Sequence, residues 1–269
     1  MAQQAVTLIT GASSGIGAAL AHVFAAHGHD LALSARSERD LAAVADAIAA
    51  TGRPRPHVLP ADLGRPDGVD GLVRDFEARG LEPDCVVNNA GFGLVGAVNE
   101  LDRTAQLAMI DLNVRALTDL SLRWIDTLTR HRGGILNVAS VAGFMPGPGM
   151  AVYYATKAYV VSFSQALNHE LKDQGVRVTA LCPGPVPTRF QERANMGEVP
   201  MASLLEQSAE DVARAGYDAL AAGKRLVIPG VICRTLMTMT SFAPTPLVLR
   251  MGDARGRQRV PQARNAASP

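Results

Sequence analysis

Tyr153 and Lys157 stand four residues apart in a stretch with helical spacing, so their side chains share one helix face. A phenol beside an ammonium is a proton-transfer pair. A free tyrosine ionises near pH 10, too high for ready exchange near neutrality. A neighbouring positive charge favours the phenolate, so the lysine is expected to lower that value. Tyr154 has no such partner, because the residue four further on is Ala158. Ser140, after an apolar run, can donate to an oxygen on which negative charge develops. These three side chains together point to proton exchange with a polarised substrate oxygen.

A second group of residues suits a phosphate. Residues 10–17 read Thr-Gly-Ala-Ser-Ser-Gly-Ile-Gly and open a helix directly after an apolar strand. Gly11 permits the tight turn, Gly15 lets the backbone approach a pyrophosphate, and Gly17 allows close packing of helix on strand. The helix N-terminus, from Gly15 and Ile16 onward, offers N–H groups and partial positive charge, and Ser13 and Ser14 add hydroxyl donors. The second strand ends Ser34-Ala35-Arg36, with no acid to grip a ribose 2′-hydroxyl. Arg36 offers instead a fork for a 2′-phosphate and a plane to stack on adenine. The ligand implied is NADP(H) in preference to NAD(H). Asp62-Leu63, after the third strand, is placed where the carboxylate can meet the adenine amino group.

The elements that must hold these groups alternate along the chain. Strands are read at 6–10, 30–35, 56–61, 85–88, 135–138, 176–182 and 226–228. Helices are read at 15–27, 38–50, 66–78, 101–130, 151–174 and 209–222, with Pro66 at a helix start, where its missing N–H costs nothing. Strict alternation implies right-handed crossovers and a parallel sheet. The strands are unbroken Val, Ile, Leu and Ala runs, as expected where both faces are covered. The fold class is therefore α/β: a single-domain, Rossmann-type, doubly wound parallel sheet of seven strands with helices on both faces. Its ligand belongs outside the carboxyl ends of the strands.

Composition agrees. The 269 residues are 48% hydrophobic but only 4% aromatic, and the formal net charge is +1. Near-neutral charge gives no reason to expect nucleic acid. Cys85, Cys182 and Cys233 form no CxxC pair, and the six histidines form no HExxH pattern, so no metal site is expected. An odd cysteine count, with no charged segment before the first strand, favours a reducing cytoplasmic setting. Residues 231–251 are apolar but carry Arg234, Pro244 and Pro246, which argues against a membrane span. An oligomer contact or a wall of an apolar pocket are the alternatives. Residues 252–269 hold four Arg and one Asp without apolar periodicity and read as a disordered basic tail. A peripheral membrane role for these two segments is a further alternative.

Taken in order, the motifs resemble those of the short-chain dehydrogenase/reductase family over residues 6 to about 230. The loop 10–17 is similar to the family's nucleotide motif and Asn88-Asn89-Ala90-Gly91 to its NNAG motif. Asn113, Ser140 and Tyr153-x-x-x-Lys157 match its catalytic set, and Pro183-Gly184 with Val186 and Thr188 match the segment after the sixth strand. The resemblance implies one domain over residues 1–230. It also implies that Asn89, Ala90 and Gly91 line the adenosine ribose, and that Pro183, Gly184, Val186 and Thr188 hold the nicotinamide amide. Lys157 would bind the nicotinamide ribose, and Asn113 would hold a water that relays protons through the lysine. Tyr153 would exchange a proton with a substrate whose carbonyl and alcohol forms are interconverted by hydride transfer.

The same resemblance makes residues 189–208 a substrate lid. Phe190, Met196, Val199, Met201, Leu204 and Leu205 there, facing Phe92, Leu94, Phe144, Met145, Pro146 and Met150, suit a lipophilic ketone or aldehyde. Relatives pair through helices matching 101–130 and 151–174, so a homodimer or homotetramer is implied. A non-catalytic sensor of NADP(H) on the same fold is the alternative; it would not need Asn113, Ser140, Tyr153 and Lys157 together.

Overall fold

A strand buried on both faces must be apolar at successive positions, and neighbouring residues then serve opposite layers. The computed structural model describes residues 3–187, 206–240, 244–246 and 248–249. Its strands are β1 (Gln4–Thr10), β2 (Leu31–Ala35), β3 (His57–Pro60), β4 (Leu81–Asn88), β5 (Gly134–Val138), β6 (Arg177–Leu181) and β7 (Leu226–Val227). They form one seven-stranded sheet in the order β3-β2-β1-β4-β5-β6-β7, and every neighbouring pair is parallel. The chain folds as a single Rossmann-type domain with helices on both faces.

Ile9, Leu33, Val87, Leu136 and Leu181 pack under α1 (Gly15–Ala26), α2 (Glu38–Ala49) and a later helix, Ala209–Ala221. Their neighbours Leu8, Ala32, Val86, Ile135 and Val178 serve the other layer. That layer contains α3 (Gly68–Ala78), α4 (Arg103–Ile110), α5 (Leu117–Arg123), α6 (Ile125–His131) and α7 (Ala151–Leu171). Ala209–Ala221 is α8, and a last helix, α9, covers Val231–Thr240.

Three boundaries differ from the sequence reading for identifiable reasons. β4 begins at Leu81 rather than Cys85. Pro83 cannot donate to a ladder, and the register with β1 steps from Val6↔Pro83 to Thr7↔Cys85, leaving Asp84 as a bulge. Pro66 falls outside α3, whose N-cap is Asp67. The long helix read over 101–130 is three helices. A π-helical turn, Asp111–Ala116, joins α4 to α5, and Trp124 (φ −115°, ψ 21°) breaks α5 from α6.

Within the apolar C-terminal stretch, Cys233 and Met237 of α9 are buried, while Val231, Ile232, Leu236 and Met239 are exposed. Among the described residues no helix is long and apolar enough to cross a membrane. Thr188, positions 189–205 of the expected lid, and the tail 252–269 lie outside the described residues.

Candidate active site

The parallel strands all end on one edge of the sheet, and their order reverses between β1 and β4, which opens a crevice there. The glycine loop closes one side of it. Gly11 and Gly15 have φ of +65° and +57°, in the region where a side chain is strained. A Cβ on Gly17 would lie 2.2 Å from the Gly11 carbonyl oxygen, so α1 packs on the loop only because nothing is there. Ser14 is the N-cap of α1, and its hydroxyl makes no capping bond. Ser13, Ser14, Gly15 and Ile16 are all half-buried. First-turn N–H groups facing a crevice are the donor set a pyrophosphate needs.

Thr10 and Asn89 lock that loop to β4. The Asn89 amide donates to the carbonyls of Thr10 (2.9 Å) and Gly11 (3.1 Å). The backbone N–H groups of Asn89 and Ala90 donate to Thr10 Oγ1 at 3.0 and 3.1 Å. The Asn89 side-chain NH₂ is thus committed to the loop itself. Arg36 is exposed between β2 and the N-cap of α2, Ser37, and makes no ion pair among the described residues. Asp62 is exposed, with Oδ1 accepting from Gly64 N at 3.1 Å. Leu63 is a core residue at 4% exposure, so its side chain does not face the crevice.

Tyr153 and Lys157 sit on one face of the first turns of α7, 9% and 6% exposed. Lys157 Nζ lies 5.9 Å from the centre of the Tyr153 ring and donates to the Val138 carbonyl at 2.8 Å. Ser140 follows β5 at the start of a short 3₁₀ turn, Val141–Phe144, where its Oγ accepts from Ala142 N at 3.1 Å. The turn meets α7 very closely. A Cβ on Gly143 would lie 2.7 Å from the Lys157 carbonyl oxygen, and that closeness brings Ser140 within hydrogen-bonding reach of Tyr153.

The lowering expected from Lys157 is not produced by the chain alone; the part expected from a nicotinamide's positive charge belongs to the nucleotide-bound state. The protein itself does not lower the Tyr153 pKa but pushes it up to about 12, because burial disfavours the phenolate; the hydrogen bond with Ser140 acts in the opposite direction. Burial also brings Lys157 down to about 8, with the nearby Cys182 opposing the shift. Near neutrality, Tyr153 is therefore a full proton donor and Lys157 a cation close to releasing its proton.

Asn113 is buried and held inward by the π-helical turn, a feature frequent at functional sites. Its Nδ2 donates to Phe92 O (2.9 Å) and Thr156 Oγ1 (3.2 Å), and its Oδ1 accepts from Phe92 N (3.1 Å). Both of its amide protons and one acceptor site of its oxygen are thus taken by protein groups. A Cβ on Gly91 would stand 2.9 Å from Asn113 Oδ1 and 3.8 Å from Lys157 Nζ, which places Gly91 between the two. Across the crevice, the Pro183 carbonyl accepts from Val141 N at 3.0 Å. Gly184 is half-buried, and Val186 is buried in the α1 layer.

Beside Tyr153 lies a cavity of about 200 Å³. Leu94 and Met150, expected as substrate-facing, do line it; Met109, Leu101, Val98 and Gln106 also line it and carry no sequence signal. Phe92 packs against the cluster of Tyr153, Met109 and Met150, whereas Phe144 packs beside Val160 and Val161, and Pro146 is exposed. The structure also holds a buried polar chain. Asn88 donates to Ser121 (3.0 Å) and Asn137 (2.9 Å), and Asn137 to Ser164 (2.9 Å), tying β4 and β5 to α5 and α7 beneath the site. Single Asn and Ser residues inside apolar runs give no warning of such a chain.

A sequence model described as short chain dehydrogenase matches residues 5–198. A sulfoacetaldehyde reductase of Chromohalobacter salexigens is 39% identical over 185 residues, covering 68% of this chain and 72% of that protein. A short-chain dehydrogenase from Sphingobium yanoikuyae, solved in complex with NADPH, superposes with a TM-score of 0.76 at 30% identity, over 98% of this chain and 99% of that one. The bulky-bulky ketone specific alcohol dehydrogenase of Comamonas testosteroni gives 0.72 at 27% identity, over 99% and 98%.

Proposed function

The chain belongs to the short-chain dehydrogenase family, and from that premise we propose that it is an NADP(H)-dependent oxidoreductase interconverting a lipophilic ketone or aldehyde with its alcohol, with Tyr153 as general acid and base. The observation that carries this reading is the buried Tyr153–Lys157 pair on one face of α7, with Ser140 hydrogen-bonded to the phenol.

A nicotinamide dinucleotide, when bound, supplies the hydride chemistry. The residues present fit such a group: the loop 11–17 for its pyrophosphate, Arg36 for a 2′-phosphate, Asp62 near its adenine end, and the 89–91 and 183–186 segments along the crevice. In reduction, Tyr153 gives its proton to the carbonyl oxygen while Ser140 donates to that oxygen as charge builds on it. Lys157, poised near pH 8, stands next in line to restore the proton. Asn113 positions the 91–92 backbone and, through Thr156, α7.

Preference for NADP(H) is supported by Arg36 and by the absence of an acid at 35 and 36, as well as by the NADPH in the Sphingobium relative. A lipophilic substrate is supported by the cavity lining, which among the described residues includes no Lys or Arg to hold an anion such as a sulfonate. Pairing into a homodimer or homotetramer is supported by exposed Leu107, Ile110, Leu122 and Tyr159 on α4, α5 and α7.

The test is a panel of carbonyl compounds assayed with NADPH and with NADH, for the wild type and Tyr153→Phe. We expect NADPH oxidation with apolar ketones and a loss of roughly 10²–10⁴-fold in the variant. Turnover of no carbonyl, or an unimpaired variant, would remove the assignment.

A further inference from the structure

The cavity beside Tyr153 is smaller than the roughly 300–1,000 Å³ typical of sites for drug-sized ligands, so it holds a small substrate or one end of a larger one. Among the described residues that line it, two have polar side chains, Tyr153 and Gln106. Gln106 is half-buried on α4, and its amide orientation is forced. Nε2 donates to the carbonyls of Val98 and Leu101, each at 3.1 Å. Two carbonyl acceptors require the NH₂ end, so both amide protons are committed and the other terminus is a carbonyl oxygen. Among the described residues no donor reaches Gln106 Oε1.

We propose that Gln106 Oε1 is a specificity element that accepts a hydrogen bond from a hydroxyl or amide N–H on the substrate, at a point remote from the reacting carbonyl. The proposal rests on the cavity belonging to the carbonyl-reducing site described above, and it narrows the substrate class to ketones or aldehydes with a second, donating group. An apolar wall penalises a buried hydroxyl unless that hydroxyl is paired. A fixed acceptor supplies the partner that a plain alkyl chain does not need. A sulfonate or carboxylate tail, which only accepts, meets another acceptor at this position.

The experiment compares a series of ω-hydroxy alkan-2-ones of increasing length, each against the unsubstituted alkanone, with NADPH. In the wild type, kcat/KM for the hydroxylated member exceeds that of its partner at the length that spans the cavity, with the gain in KM. Three variants separate recognition from support of the 98–101 loop. Gln106→Leu removes acceptor and donors; Gln106→Lys keeps a donor for the two carbonyls and removes the acceptor; Gln106→Glu keeps an acceptor and removes the donors. The hydroxyl preference falls about ten-fold in Leu and Lys and survives in Glu. Where a variant turns over too slowly, the thermal shift caused by the hydroxyketone relative to its partner reads the same preference. Equal or reversed preference in the wild type at every length overturns the proposal, as does a preference that persists in Lys. Turnover of no ketone of either kind counts against the enzymatic assignment itself, which separates the two failures.

Discussion

Tyr153 keeps its proton because it is buried, and Lys157 holds its own weakly for the same reason. The two shifts have opposite consequences for stability. Lys157 loses its proton near pH 8 in the folded chain and at 10.5 when unfolded. Between those values the unfolded chain binds more protons, so stability rises with pH; below about 8 both forms are charged and the burial penalty is constant. Tyr153, at about 12 folded against 10.0 unfolded, makes stability fall from pH 10 upward. Urea midpoints at pH 8 and pH 10 should therefore increase in the wild type relative to Lys157→Met, which has no such proton to lose. A Met variant with the same upward slope would assign the effect to other groups. At the other end of the crevice, Arg36→Asp should lower kcat/KM for NADPH by at least about ten-fold, since a charged hydrogen bond is replaced by repulsion. The variant should gain in relative use of NADH; steady-state assays with both cofactors read this directly.

The geometry of the proposed catalytic set is fixed between elements. Ser140 comes from the end of β5, Tyr153 and Lys157 from α7, and Asn113 from the π-helical turn between α4 and α5. The 3₁₀ turn and α7 are joined at Gly143, where a methyl group would meet the Lys157 carbonyl at 2.7 Å. Gly143→Ala should push the turn away and separate Ser140 from Tyr153. Misplacement by about 1 Å costs on the order of 10²-fold in rate, so kcat should fall by about 10–100-fold while far-UV circular dichroism stays unchanged. The overpacking cost is about 1–3 kcal/mol, visible as a lowered urea midpoint. An Ala variant with wild-type kcat would show that the turn has room to move.

At the scale of the whole molecule, the exposed apolar residues on α4, α5 and α7 are those that the proposed pairing of two chains would bury. Leu107 and Ile110, both on α4, are 46% and 41% exposed. If two chains pair through these helices, each steadies the π-helical turn of the other's α4–α5 segment. Leu107→Glu combined with Ile110→Glu should reduce the particle to one chain in sedimentation velocity, because a charge buried at such a contact lacks a partner. A wild type that already sediments as one chain would remove the pairing proposal.

Much of this was legible in residue types alone. Continuous apolar strands alternating with helices dictated a doubly covered parallel sheet, since only that arrangement buries both strand faces. Gly11, Gly15 and Gly17 marked a tight strand-to-helix turn, because a side chain is strained at the first two and clashes at the third. The offset of four between Tyr153 and Lys157 ensured a shared helix face. Local spacing could not reveal the depth at which that face would lie, and depth decides the direction of both pKa shifts. Nor could it reveal the π-helical turn at Asn113, the bulge at Asp84, or the choice of Gln106 as the polar point in an apolar cavity. Each of these depends on which distant backbone groups arrive nearby: Phe92 for Asn113, β1 for Asp84, Val98 and Leu101 for Gln106. Residue type sets what a side chain is able to do, whereas burial and the partners brought to it from elsewhere in the chain set what it does here.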